Sequence, residues 1–342
     1  MEDYPRTVGE FERRFSTEEG CRAYLVSLRW PDGFRCPQCH GTKAVVVRNT
    51  LYQCCGCRRQ TSATAGTIFQ DTRKPLVMWF RAMWYVTSQK NGASALGLQR
   101  VLGLASYETA WAWLHKLRRA MVRLGRDRLS GWIEVDETLV GGAEEGVKGR
   151  QTVGKSWVVI AAQVDGSGIG RIRMRLVPDC SAASLHPFVE ECIERGSCLH
   201  TDGWQGYAGL EKKGYQREIT KLSKSKENAS KLMPRVHRVA SLLKRWLLGT
   251  HQGGVAYYYL PYYLDEFTFR FNRRKSASRG KLFFRLDAAG RRHLTQNSRI
   301  NGAIRPTETT IYRGWLSKAY ILQAVYAAVA STTTNAIGAC KN

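Results

Sequence analysis

Carboxylates interrupt a predicted β-strand near the middle of the chain. Residues 131–142 combine β-branched and aromatic residues with a terminal Gly-Gly turn, a pattern typical of a strand. Side chains alternate along a strand, so Glu134 and Asp136 share one face while Glu137 points to the other. Buried carboxylates are costly unless they are paired or bind a cation. The stretch is therefore either an edge strand with a solvated acidic face or part of a cation site.

Two Cys-x-x-Cys pairs predict a metal site nearer the N-terminus. Cys36 and Cys39 form the first pair, Cys54 and Cys57 form the second, and the β-branched segment between them fits a hairpin. Four thiolates at this spacing surround zinc tetrahedrally, and a closed four-sulfur site leaves no position for water, so the ion is structural. Cys55 falls outside the knuckle spacing and is a spare. The competing interpretation is four unconnected buried thiols.

The charge balance points to a polyanionic partner. The 342 residues include 53 Lys and Arg against 28 Asp and Glu, a formal charge of +25, which favours nucleic acid. A hydrophobic content of 43% favours a folded, enzyme-like body. No apolar run reaches about 18 residues and the N-terminus lacks the form of a signal peptide, so we expect no membrane span. The ten Cys fit metal binding in a reducing cytoplasm better than disulfides.

A helical region is predicted over residues 75–125. Segments 93–102 and 107–117 are periodic, with Gly103 ending one helix and Ser106 capping the next. This shape is typical of a helix-turn-helix, whose second helix reads DNA, although helical hairpins that only pack share it. Basic residues at the end of the second helix favour DNA contact, but a charge run is often only a solvated face. They are Lys116, Arg118 and Arg119.

The pattern becomes α/β from the acidic strand onward. Strands are predicted at 157–164 and 171–177, and the short turn between them favours antiparallel pairing. A helix follows at 182–194, and then a short strand that ends near Asp202. A crossover helix allows this fourth strand to lie parallel to the first. Asp136 and Asp202 are therefore expected side by side on neighbouring strands.

A long helix and an aromatic segment complete the interpretable part. The helix is predicted over residues 231–248, where His237 and Lys244 are seven apart. At 3.6 residues per turn they project from one face, about 10 Å apart along the axis. Segment 262–274 is dense in aromatic and basic groups, and its aromatics are expected in the core. Its basic members that are available for phosphates are Arg270, Arg273 and Arg274.

Taken together, these blocks resemble bacterial insertion-sequence transposases of the DDE type. The resemblance covers roughly residues 10–286. It implies an α/β, ribonuclease H-like catalytic domain, with a mixed five-stranded sheet and flanking helices, preceded by a zinc ribbon and a helix-turn-helix-like helical domain. The blocks are Cys36-Pro-x-Cys39 with Tyr52-x-Cys54-x-x-Cys57, Thr64-Ala-Gly-Thr67, Val135-Asp136-Glu137, Thr201-Asp202-Gly203-Trp204, residues 243–251 and residues 263–274.

The resemblance divides the chain into four parts. An N-terminal helix and zinc ribbon are expected at 1–70, the helical DNA-binding domain at 71–128 and the catalytic domain at 129–286. Residues 287–342 form a tail without an assigned role, either an accessory helix or a read-through extension.

The family's catalytic roles map onto particular residues. In such transposases two aspartates and a third residue on the last helix bind two divalent ions, and a lysine two turns further on contacts DNA. The resemblance places these roles on Asp136, Asp202, His237 and Lys244. The wider superfamily has Glu at the third position, and imidazole is a poorer ligand than oxygen for Mg²⁺. Three interpretations of His237 stay open: a metal ligand, a phosphate or water contact beside an Asp-bound metal, or the mark of an impaired copy.

The resemblance also implies cofactors and contacts. Two Mg²⁺ or Mn²⁺ ions are expected in the active site, besides one structural Zn²⁺. Glu227, Asp265 and Glu266 are conceivable substitute carboxylates for the third position. The predicted DNA-binding residues are Lys116, Arg118, Arg119, Lys244, Arg245, Arg273 and Arg274.

The function implied is DNA transposition. The protein is expected to bind the terminal inverted repeats of an insertion sequence and to cleave and transfer 3′ ends into target DNA, without a covalent protein-DNA intermediate. Its partners are double-stranded DNA and further copies of itself in the cytoplasm, at the nucleoid. A nuclease without strand transfer is an alternative that the ribbon and Lys244 oppose. A catalytically impaired DNA-binding descendant is another, motivated by His237.

Overall fold

The computed structural model describes most of the chain up to residue 284. Predictions that concern Glu227 and residues 285–342 lie outside the described residues. No helix in the described part is long and apolar enough to cross a bilayer. The described residues are 4–48, 50–122, 125–142, 154–220, 229–253, 255–276, 278 and 280–284.

Two capped helices lead into a small sheet at the N-terminus. The side chains of Thr7 and Thr17 each accept a hydrogen bond from the backbone of the helix that follows, which satisfies N–H groups that have no partner within a helix. The predicted hairpin between the cysteine pairs is confirmed, and a third strand extends it into an antiparallel sheet in the order β1-β2-β3. The elements are α1 (Val8–Arg14), α2 (Glu18–Arg29), β1 (Ala44–Val47), β2 (Leu51–Cys54) and β3 (Gln60–Ser62).

Three further helices follow the ribbon. Gly103 ends the second of them with φ 62°, in the left-handed region that glycine adopts at little cost. The Ser106 hydroxyl accepts a hydrogen bond from the N–H of Thr109 and begins the third. Both predicted helix ends are thus confirmed. The helices are α3 (Leu76–Ser88), α4 (Ala95–Leu102) and α5 (Tyr107–Ala120).

The core of these N-terminal helices includes residues from much later in the chain. Trp79 of α3 stacks on Trp113 of α5, with ring centroids 3.8 Å apart. The same core takes in Phe269, Leu282 and Phe283, which were predicted to belong to the catalytic domain. The helical region therefore does not complete its core from residues 71–128 alone, and the four-part division stays a prediction.

A mixed five-stranded sheet forms the centre of the second half, as predicted. Its order is β6-β5-β4-β7-β8, with antiparallel pairing from β6 to β4 and parallel pairing from β4 to β8. The crossover helix α6 joins β6 to β7. The fifth strand, β8, was expected only from the family resemblance. The elements are β4 (Trp132–Val140), β5 (Ser156–Asp165), β6 (Gly168–Val177), α6 (Ala182–Cys192), β7 (Cys198–Asp202) and β8 (Gln216–Thr220).

Helices cover both faces of this sheet. Along β5, Val159 packs against the core that contains α6, while Val158 and Ile160 pack against the core of the opposite face. A strand that is covered on both faces has a nearly continuous run of apolar residues, as β5 does. The predicted helix 231–248 is two helices, because Pro234 lacks an N–H and cannot continue the first. The remaining α-helices of the described part are α7 (Ala229–Leu232), α8 (Pro234–His251) and α9 (Leu260–Asn272).

Candidate active site

Four cysteine sulfur atoms converge in the ribbon. The Sγ atoms of Cys36, Cys39, Cys54 and Cys57 all lie within 4.8 Å of one another. The Cys36 and Cys57 sulfurs are 3.5 Å apart, as are those of Cys39 and Cys54. A tetrahedral zinc ion with Zn–S bonds of about 2.3 Å places its ligands roughly 3.8 Å apart. The four residues therefore fit a structural zinc ion, and Cys55 is exposed outside the cluster.

A tight turn closes each cysteine pair. His40 (φ 60°) and Arg58 (φ 61°) follow the second cysteine of each pair in the left-handed conformation. Their N–H groups donate to the carbonyls of Cys36 and Cys54, at 3.1 and 3.0 Å. The backbone N–H of Cys39 lowers the pKa of the Cys36 thiol to about 6. For Cys39 the backbone N–H of Gly41 lowers the pKa, but the three neighbouring sulfurs outweigh it and raise the pKa.

Strand β4 sends its carboxylates to both faces of the sheet, as the alternation predicts. Glu134 accepts hydrogen bonds from the first turn of α8, and Asp136 lies near His237 of the same helix. Glu137 points to the opposite face, towards the fully buried Tyr207. Burial, followed by the charge of Glu137, raises the pKa of Tyr207 well above its usual value. The two faces are therefore chemically distinct, and the α8 face carries the candidate site.

Asp136 and His237 form the centre of that site. The Nε2 atom of His237 lies 3.8 Å from Oδ2 of Asp136, too far for a hydrogen bond. Nε2 is buried and makes no hydrogen bond to the described residues. Ligand atoms about 2.1 Å from one ion lie roughly 3 to 4 Å apart. A buried nitrogen at this distance from a carboxylate therefore fits joint coordination of a divalent cation.

Asp202 flanks this pair from the neighbouring strand. The parallel pairing of β4 with β7 ends at Glu134 and His200, and each aspartate lies two residues beyond its paired neighbour. Strand periodicity therefore puts Asp136 and Asp202 on the same face. Oδ1 of Asp202 accepts a hydrogen bond from the N–H of Trp204 at 3.0 Å, which fixes the end of the strand.

The surroundings of His237 favour its neutral imidazole. Burial lowers the pKa of His237, and the charges of Glu134 and Asp202 oppose that effect without reversing it. Neutral imidazole is the form that binds metal. In the described part of the chain, however, the cysteine cluster is the only set of three or more ligand atoms within 4.8 Å of one another. The ligand atoms of Asp136 and His237 therefore lie close together, whereas that of Asp202 does not lie within 4.8 Å of both.

Lys244 lies two turns beyond His237 on α8. Its side chain is exposed, like those of its neighbours Arg238 and Arg245. Partial burial, and then the charge of Lys155, lowers the pKa of Lys244. The exposed side of α8 therefore presents three cations next to the acidic site, a surface suited to phosphates.

The predicted DNA contact of Arg118 is wrong. Its side chain is 2% exposed, and Nε donates to Oε2 of Glu266 at 2.8 Å. Its guanidinium also lies over the ring of Tyr263, 3.9 Å from the centroid. Helical spacing from Leu114 and Leu117 puts Arg118 on the buried side of α5, a signal that the basic run obscured. Lys116 and Arg119 are half-buried, and their DNA contacts stay predictions.

Glu266 is not a substitute catalytic carboxylate. It is fully buried, and its two oxygens accept hydrogen bonds from Arg118 and Arg270. Burial raises the pKa of Glu266, but the positive charges of Arg270 and Arg118 outweigh that effect and lower the pKa to about 2. Arg270 also donates to the carbonyls of Val86 and Gln89, so its predicted availability for phosphates is wrong too. These residues join α9 to α3 and α5.

The last two predicted DNA contacts sit at the end of α9. Arg273 lies over the ring of Phe269 and donates to its carbonyl at 3.3 Å. Arg274 is exposed, lies over Phe271, and donates to the carbonyl of Gly170 at 3.2 Å. Both guanidinium groups are thus already partly engaged by the protein, and their contacts with DNA stay predictions.

The chain matches two family models. Residues 16–60 match a transposase zinc-ribbon domain, and residues 128–272 match an ISXO2-like transposase domain. Over 146 residues the chain is also 29% identical to a Halobacterium salinarum protein described as an uncharacterized protein in transposable element ISH50. That match covers 41% of this chain and 46% of the relative, so the chain spans about half the length of the curated relative it matches.

Proposed function

We propose that this chain, which matches a transposase zinc-ribbon domain and an ISXO2-like transposase domain, binds the terminal inverted repeats of its element and transfers their 3′ ends to target DNA. Its two matched domains occur in the predicted order. The observation that carries the proposal is the buried Nε2 of His237, which makes no hydrogen bond to the described residues and faces the Asp136 carboxylate at 3.8 Å.

Asp136, Asp202 and His237 are the residues that would hold divalent ions. Such ions, when bound, activate the attacking oxygen and stabilise the leaving oxygen in a displacement at phosphorus. Two carboxylates suit Mg²⁺ or Mn²⁺, and Mn²⁺ accepts an imidazole nitrogen more readily than Mg²⁺ does. The lowered pKa of His237 keeps its nitrogen lone pair available at neutral pH.

The exposed side of α8 is the proposed path of the DNA backbone. Lys244 and Arg245 are exposed there, two turns from the acidic site. Cations at this position neutralise phosphates and set the register of the strand that enters the site. The ribbon, braced by its zinc ion, contacts the transposon end. We further propose that several copies act together on paired ends.

Strand transfer of a labelled transposon-end duplex tests the proposal. Wild type, His237→Ala and His237→Glu are compared in Mg²⁺ and in Mn²⁺, with Asp165→Ala as a control because Asp165 is an exposed carboxylate of the same sheet. Joined products are expected from wild type, preferentially in Mn²⁺, and are expected to disappear with His237→Ala. The control is expected to retain them.

One observation favours a second candidate, a catalytically impaired transposase that only binds DNA. Within the described residues, the three ligand atoms of the proposed site do not all approach within 4.8 Å of one another. The same experiment decides between the two. A wild type that is inert in both metals, while His237→Glu joins ends, would establish the impaired protein and overturn the active one.

A further inference from the structure

Helix α8 begins without a cap of its own. Met233 precedes it and makes no side-chain hydrogen bond to the helix, and Pro234 occupies the first helical position. Proline has no N–H, so the first donors of the helix belong to Arg235 and Val236. Donors at a helix start have no partner within the helix and need one from elsewhere when they are buried.

Glu134 supplies that partner from strand β4. Its Oε2 accepts the N–H of Arg235 at 2.8 Å and that of Val236 at 2.9 Å. Its Oε1 accepts from Nη1 of Arg235 at 3.1 Å. The carboxylate is 1% exposed, and its charge is favourable at the positive end of a helix. A residue 101 positions earlier thus holds the first turn of α8.

This contact lies directly beside the candidate active site. Glu134 and Asp136 are two residues apart on one face of β4, about 7 Å along the strand. His237 immediately follows Val236, whose N–H Glu134 binds. One strand therefore carries both the anchor of the helix and the carboxylate that the helix must face.

We propose that Glu134 is a positioning residue that sets His237 against Asp136. Its Oε2 accepts two backbone hydrogen bonds and its Oε1 accepts one from the Arg235 guanidinium, so the carboxylate is engaged at the start of α8. This inference rests on the proposed function for the metal at Asp136 and His237, whereas the anchoring of the helix is independent of it.

Two measurements on Glu134→Gln test the inference. Gln keeps the size of the side chain but loses its charge, so the first turn of α8 is expected to exchange its amide hydrogens faster. The Kd for Mn²⁺, read from the electron paramagnetic resonance of free Mn²⁺, is expected to rise on the order of tenfold, as for other residues that orient a ligand. Arg235→Ala is the control, because it removes the ion pair and leaves both backbone hydrogen bonds in place.

A double-mutant cycle separates positioning from simple stabilisation. If Glu134 acts through His237, Glu134→Gln is expected to leave the Mn²⁺ affinity unchanged in a His237→Ala background. A merely structural role would lower the melting temperature and leave the affinity of the folded protein alone. Glu134→Asp keeps the charge and shortens the side chain by one methylene group, so it repeats the test if the Gln variant does not fold.

The results have distinct meanings. Unchanged exchange in the first turn of α8 would show that Glu134 does not hold the helix. Faster exchange with an unchanged Mn²⁺ affinity, or equal effects of Glu134→Gln with and without His237, would overturn the positioning role. A wild type that binds no Mn²⁺ at Asp136 would overturn the proposed metal site, while the exchange rates still decide whether Glu134 anchors α8.

Discussion

The zinc site and the candidate active site are built in opposite ways. The four cysteines of the zinc site come from one short segment, and a tight turn holds each pair. The candidate active site draws Asp136, Asp202 and His237 from two strands and a helix that are far apart in sequence. The zinc site is therefore a local structure, whereas the candidate active site requires the assembled sheet and helix α8.

The two sites therefore depend on different kinds of contact. In the ribbon, the spacing within each Cys-x-x-Cys turn is sufficient to place its two sulfur atoms next to each other. The candidate active site instead depends on residues without catalytic chemistry, such as Glu134 of β4, which accepts hydrogen bonds from the start of α8. The Arg118–Glu266 ion pair, which ties α5 to α9, belongs to the same class of distant contacts.

Loss of zinc is expected to have the largest effect. Structural zinc sites contribute about 10 kcal/mol or more to folding, and Cys36→Ser removes one of four ligands. Zinc content, measured by elemental analysis, is expected to fall from one ion per chain to near zero, and the remaining ribbon thiols to react freely. Cys55→Ser is the matched control, because Cys55 is exposed outside the cluster. Equal zinc in both variants would contradict a four-cysteine site.

Breaking the buried ion pair is expected to rank second. Arg118→Ala leaves Glu266 with one fewer cation in a fully buried site, and removal of one partner of such a pair costs about 3 to 5 kcal/mol. The free energy of unfolding in urea is expected to fall by that amount, while zinc content stays at one. Lys116→Ala on the same helix is the control. A stable Arg118→Ala protein with weakened DNA binding would restore the original prediction.

Loss of an active-site carboxylate is expected to change activity more than stability. Asp136→Ala is expected to reduce strand transfer at least about a hundredfold, because Asp136 is the carboxylate that His237 faces. The rate of product formation by a gel assay measures this effect, and thermal unfolding checks the fold. Full activity of Asp136→Ala would remove this site from the mechanism.

The sequence predicted local features well. The cysteine cluster, the turn residues Gly103 and Ser106, and the strands β4 to β7 of the five-stranded sheet all follow from spacing and residue type. The sequence also predicted that Asp136 and Asp202 lie on neighbouring strands, because a crossover helix allows β7 to lie parallel to β4. Each of these inferences needs only short-range chemistry or one rule of chain topology.

The sequence did not predict which residues far apart in the chain contact one another. From its sequence context, Arg118 was interpreted as a surface cation. Its pairing with Glu266, 148 residues later, is visible only in the structure. Glu134 reads as a second acidic ligand until its hydrogen bonds to Arg235 and Val236 are seen. In both cases one side chain has two chemically reasonable roles, and only the tertiary contact selects between them.

The aromatic core of the N-terminal helices has a consequence for biosynthesis. Phe283 packs against Phe11, Phe15 and Phe80, in each case with ring centroids 5.6 Å apart. A ribosome therefore must translate through the five-stranded sheet before Phe283 can complete the aromatic core of the first helices. Fragments that end before residue 280 would expose that aromatic surface, which favours aggregation. Prematurely terminated copies of such a gene are then expected to yield insoluble products rather than free DNA-binding fragments.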